Sequence, residues 1–101
     1  MQRYKVIVLP EARRDRDRII ESLRSLSDDV AKNYRLIFAA ELQSLSELPN
    51  RCPPARDSVL AERGYRYLAV KHYLVFFTVA EEDKTVTIRS IIDGRSDYLS
   101  I

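Results

Sequence analysis

Between Gly64 and Tyr98 the chain alternates apolar and polar residues with a period of two, the pattern of half-buried strands. Three strands separated by two short polar turns account for it. In the middle strand Tyr73, Val75, Phe77 and Val79 share one face, and Leu74, Phe76 and Thr78 take the other. In the last strand strict alternation sets Val86, Ile88, Ser90 and Ile92 against Thr85, Thr87, Arg89 and Ile91. Glu81-Glu82-Asp83-Lys84 suits the hairpin turn between them, and Lys71-His72 reads as an exposed polar turn before them. A charged strip, Asp93-Gly94-Arg95-Ser96-Asp97-Tyr98, closes the meander.

Upstream the period changes. Tyr4 to Leu9 is a β-branched run that predicts a short strand. Pro10 stops it, having no amide hydrogen for a ladder and a fixed φ that suits the first position of a helix. A helix from Pro10 to about Leu26 then places Ala12, Ile19, Leu23 and Leu26 near one stripe. Ser27-Asp28-Asp29 supplies N-cap candidates for a second helix reaching about Leu48, where Tyr34, Ile37, Phe38, Leu42 and Leu45 recur at helical steps. Pro49, Pro53 and Pro54 mark a loop, and Val59-Leu60-Ala61 reads as one further short strand. The expected fold is α+β in two layers: an N-terminal strand, then a two-helix hairpin packed on one face of an antiparallel sheet, over residues 1–101 as a single domain.

Composition narrows this picture only a little. A chain of 101 residues, 46% hydrophobic and with two glycines, suits one compact core. A net charge of +2 does not by itself announce a nucleic-acid binder. Arg13, Arg14, Arg16 and Arg18 are balanced by Glu11, Asp15, Asp17 and Glu21, as on a solvated helix face. Arginines of the strand region, Arg63, Arg66, Arg89 and Arg95, read equally as structural groups or as an anion site. One cysteine, Cys52, rules out an intrachain disulfide and a cysteine-based metal cluster. No cofactor is implied, no stretch reaches the length of a membrane span, and no signal peptide is expected, so the cytoplasm is the expected location.

Four pieces in order carry a resemblance over nearly the whole chain: the opening strand with Pro10-x-Ala12, Gly64-Tyr65-Arg66, Tyr73-Leu74-Val75-Phe76-Phe77, and Ile91-Ile92-Asp93-Gly94-Arg95-Ser96-Asp97-Tyr98. Together they resemble the RelE/ParE superfamily of toxins from bacterial type II toxin–antitoxin systems. The resemblance implies a sheet backed by the helical hairpin, with the first strand beside the last. It also implies a cognate antitoxin that wraps and neutralises the toxin, a toxin–antitoxin heterotetramer being one such assembly. RelE-like members are ribosome-dependent mRNA endoribonucleases (mRNA interferases) that drive a 2′-hydroxyl onto its own 3′-phosphate. ParE-like members, known from plasmid stabilisation, act as gyrase inhibitors and perform no hydrolysis.

Carried over residue by residue, the ribonuclease reading nominates Arg66, Arg95, Asp93 and Tyr98. Arg66 matches the arginine that steadies the scissile phosphate, where a guanidinium fork suits an anion; a structural arginine bonded to a loop carbonyl is the competing reading. Arg95 stands where many members have a basic residue. Asp93 replaces the histidine of many members and serves as a base only if burial raises its pKa. Tyr98 falls near a C-terminal tyrosine of some ribonucleases. Ala55-Arg56-Asp57-Ser58 stands where RelE-like enzymes have a lysine-rich loop. The strand wording and the Gly-Arg-x-Asp-Tyr ending resemble the ParE side, so a gyrase-binding toxin leads. A ribosome-dependent ribonuclease and a non-toxic antitoxin-binding relative are the alternatives. On this reading Arg66 and Arg95 lie close together on the uncovered sheet surface.

Overall fold

The computed structural model describes residues 3–95. Strand β1 (Lys5–Val8) leads into helices α1 (Pro10–Arg24) and α2 (Asp28–Ser44), and a 3-10 turn at Pro49–Arg51 precedes the short helix α3 (Ser58–Glu62). Strands β2 (Arg66–Val70), β3 (Tyr73–Ala80) and β4 (Thr85–Asp93) complete the chain. The sheet runs in the order β1-β4-β3-β2. The three later strands are antiparallel as expected, and β1 lies beside β4 but parallel to it. A parallel neighbour needs a crossover, and the helical hairpin provides it.

Local chemistry sets most boundaries. Pro10 opens α1. Ser27 caps α2, its hydroxyl accepting from the Val30 amide at 3.3 Å. That helix stops at Ser44, short of the expected Leu48, because Leu48 adopts a left-handed φ of 48° directly before Pro49. The Arg51 guanidinium donates to carbonyls there, Glu47 at 2.7 Å and Leu48 at 3.1 Å, and the Leu48 carbonyl also accepts the Arg51 amide. Val59 to Ala61 is a helical turn rather than a strand: the Asp57 carboxylate captures the amides of Val59 and Leu60. Gly64, with φ of 84°, then turns the chain out of that helix.

One core lies between the helices and the sheet. Phe38, Phe77, Leu45, Ile88, Val75 and Val86 are fully buried there, joined by Ala12, Ile20, Ala31 and Leu42. Tyr34, Phe38 and Tyr73 form a ring cluster with centroids 5.8–6.5 Å apart. Leu26 does not belong to it; the residue lies past the end of α1 and is 80% exposed. A smaller cluster on the opposite face packs Phe76 and Ala55 with Leu60, Tyr65, Tyr67, Leu74 and Ile92, so α3 and its loop cover part of the surface expected to be open.

Alternation in β4 fails at one point. Phe77 pairs with Ile88 and Phe76 with Ser90, leaving Arg89 as an extra residue. This β-bulge shifts the face of everything after it: Ile91 enters the main core and Ile92 joins the smaller cluster, the reverse of the strict pattern.

Phe77→Ala should lower stability by about 3–5 kcal/mol. Leu26→Ala should change it by less than about 0.5 kcal/mol. Urea unfolding of the two variants separates a buried anchor from a residue that only its sequence spacing placed on the stripe.

Candidate functional site

Of the three nominated residues that the structure describes, Asp93 and Arg95 come together and Arg66 stands apart. Arg66 begins β2 and shares the helix-facing side of that strand with Leu68 and Val70. Its Nη1 donates to the Cys52 carbonyl at 2.6 Å, and the flanking backbone is stitched to the same loop through Tyr67 N to Pro53 O, 3.1 Å. Arg66 therefore ties the proline-rich loop to the sheet edge. Arg95 belongs to the other end of the sheet, two residues past Asp93, which pairs with Tyr73 opposite Val70. Val70 is four residues from Arg66, about 13 Å along the strand at 3.3 Å per residue. The expected closeness of the two arginines is not found. Tyr98 lies outside the described residues.

Asp93 and Arg95 form a compact pair. The guanidinium donates to both carboxylate oxygens, at 3.2 and 2.9 Å, and the Arg95 amide adds a third bond at 2.9 Å. Those bonds hold the Asp93 carboxyl at about 2, below the ordinary 3.8, and push Arg95 up. The shift runs opposite to the one a general base needs, since a carboxylate so strongly favoured as an anion accepts a proton poorly near neutrality. Burial, then the nearby Asp93 charge, raises the Tyr73 phenol. Burial also raises the Cys52 thiol, so it is no ready nucleophile.

Two features here were not legible in the sequence. Asp15, on α1, accepts the Ile91 amide of β4 at 2.9 Å across 76 residues. Gly94 donates its amide to the His72 carbonyl at 2.6 Å, fastening the chain after β4 to the tip of the β2–β3 hairpin. A side chain at Gly94 would bring its Cβ to 2.8 Å from that carbonyl. Neither partner lies close in sequence, so no local signal marks them.

The face opposite the helices holds a mainly apolar cavity of about 520 Å³, lined by Leu9, Leu60, Tyr65, Phe76 and Ile92 with Glu11, Asp57 and Arg89 at its polar parts. Among the described residues no group of His, Cys, Asp and Glu is arranged to hold a metal ion. No helix among them is long and apolar enough to cross a membrane.

Residues 6–98 match the family described as the ParE toxin of the type II toxin–antitoxin system parDE. The chain belongs to the ParE toxin family. A chain of the chromosomal ParDE toxin–antitoxin system of P. aeruginosa superposes with a TM-score of 0.73 at 18% identity, covering 89% of this chain and 95% of that one. A chain of the RelBE2 toxin–antitoxin complex of Mycobacterium tuberculosis gives 0.61 at 21% identity, covering 92% and 93%. At these identities the two structures share the fold. No curated protein matches the chain by sequence. The kinship thus holds although Arg66 and Arg95 stand apart, so their proximity is no requirement of membership in the ParE family.

In this ParE-family chain the Asp93–Arg95 pair favours the ionised carboxylate. Its contribution to stability is present above about pH 4 and lost as pH falls through about 2. An NMR titration of the Asp93 carboxyl should show a midpoint near 2, returning toward 3.8 in Arg95→Gln. A midpoint near 3.8 in the unaltered protein would contradict the pair.

Proposed function

We propose that this ParE-family toxin inhibits growth by binding a protein target, DNA gyrase being the one its ParE resemblance implies, and that a cognate antitoxin neutralises it. What carries the reading is the commitment of Arg66 to the Cys52 carbonyl, at the end of the sheet away from Arg95. Cleavage of RNA by 2′-hydroxyl attack asks for a base, a cation at the phosphorane and an acid for the leaving oxygen, all within reach of one phosphate. Here the two nominated cations are apart, and Asp93 is an ion-paired carboxylate with its pKa depressed to about 2. Binding needs no such convergence, only a shaped surface.

An antitoxin partner suits the apolar surface left on the molecule. Leu36 and Leu48 are 66% and 63% exposed, and the cavity beside Phe76 and Ile92 is open to an apolar segment.

Arg66→Ala tests the target class. Growth inhibition in cells expressing the toxin alone should persist, and no RNA cleavage should appear on translating ribosomes with either protein. A ribonuclease using Arg66 would instead cleave RNA, and lose roughly 10²–10³ in rate on the substitution. Growth without any defect on expression of the unaltered chain would favour a non-toxic relative. Expressed without an antitoxin, the chain should self-associate at high concentration; a clean monomer by sedimentation would count against the exposed surface as a partner site.

A further inference from the structure

The cavity on the face opposite the helices carries a charge pattern that its apolar walls do not explain. Phe76 and Ile92 from the sheet and Leu60 from α3 supply apolar wall. Three charged side chains also line it: Glu11 from the first turn of α1, Asp57 from the cap of α3, and Arg89 from the bulge in β4. Two carboxylates against one guanidinium leave one negative charge in excess. None of the three has an ion-pair partner among the described residues. Asp57 Oδ1 accepts the amides of Val59 and Leu60, and Arg89 Nε donates to the Thr78 hydroxyl at 3.2 Å.

Apolar surface continues past the mouth of the cavity. Val59, on its α3 side, is 54% exposed. On the other side β1 turns Val6 and Val8 toward the main core, so Ile7 and Leu9 share the far face, and Ile7 is 37% exposed. An occupant that covers this whole strip is longer than a small molecule seated in about 520 Å³.

We infer that the cavity receives a segment of a protein partner that presents a large apolar side chain with a lysine or arginine within a few residues of it. The apolar group lies against Phe76, Leu60 and Ile92, and the cation meets Glu11 and Asp57. Arg89 opposes a cation at the bulge, so the cationic head is steered toward the carboxylates. A phosphate backbone has the wrong sign for a cavity with this excess. The inference rests on the reading of this cavity as a partner site and adds the charge that the partner brings to it.

The test is an NMR titration of the full-length protein, kept below the concentration at which it self-associates. The probes are a blocked leucine–lysine–leucine tripeptide, its glutamate and glutamine counterparts, and 3-phenylpropylamine as a free amine. The lysine tripeptide should shift the amides of Leu60, Tyr65, Phe76 and Ile92 saturably, binding more tightly than the glutamine form, with the glutamate form weakest. Glu11→Gln and Asp57→Asn should each weaken the lysine tripeptide about two- to fivefold, the range of a partly exposed ion pair, and leave the glutamine form unchanged. Asparagine at position 57 retains the helix cap, so that variant keeps α3 in place. Preference for the glutamate form would overturn the inference and assign the cavity to an anion at Arg89. Equal binding of the three tripeptides, unmoved cavity amides, or tighter binding of the free amine than of the lysine tripeptide would each overturn it as well. The titration uses the toxin alone, so it can fail while growth inhibition and neutralisation by an antitoxin persist, and it can succeed where they do not.

Discussion

The extra residue at Arg89 is the constraint on which the rest of the molecule depends. Strand β4 has β1 on one side, β3 on the other and α1 across its face, so any change in its register reaches every layer. Ahead of the bulge Val86 and Ile88 fill the main core, and past it Ile91 does. The same slip sends Ile92 to the far face, where it supports Phe76 and the cover formed by α3. Beyond Ile88 the strand has outrun β1, and the Ile91 amide finds the Asp15 carboxylate in place of a strand neighbour. A buried amide there without a partner would be costly, and one carboxylate on α1 satisfies it.

The end of β4 then organises the surface. Asp93 is delivered opposite Tyr73, and Gly94 reaches the hairpin tip. Three of the four strand-region arginines that read as a possible anion site are occupied with architecture. Arg66 holds the proline-rich loop, Arg89 bonds the Thr78 hydroxyl, and Arg95 braces Asp93. A guanidinium fork already matched to a carbonyl or carboxylate must break those bonds before it can serve a phosphate. That accounting favours a molecule that works through its surface over one that works through a catalytic centre.

Membership in the ParE family and the layout of this chain agree on the fold. The same sheet and helical hairpin carry both ParE and RelE toxins, as the two superposed structures illustrate. A shared scaffold therefore says little about chemistry, which resides in the side chains grafted on it.

The sequence by itself determined what local physics controls: the period-two strands, Pro10 and Ser27 as helix starts, the two polar turns, and the main-core faces of Tyr73, Val75, Phe77 and Val79. It also carried the family resemblance, because short motifs in a fixed order survive where overall identity does not. Only the tertiary structure decided the parallel seat of β1, the bulge at Arg89, the helical turn where Val59 to Ala61 read as a strand, and the separation of Arg66 from Arg95. Each of these depends on a partner distant along the chain, or on a single carboxylate such as Asp57 capturing backbone amides. Residue spacing records periodicity but not which carbonyl a guanidinium will find once the sheet has closed.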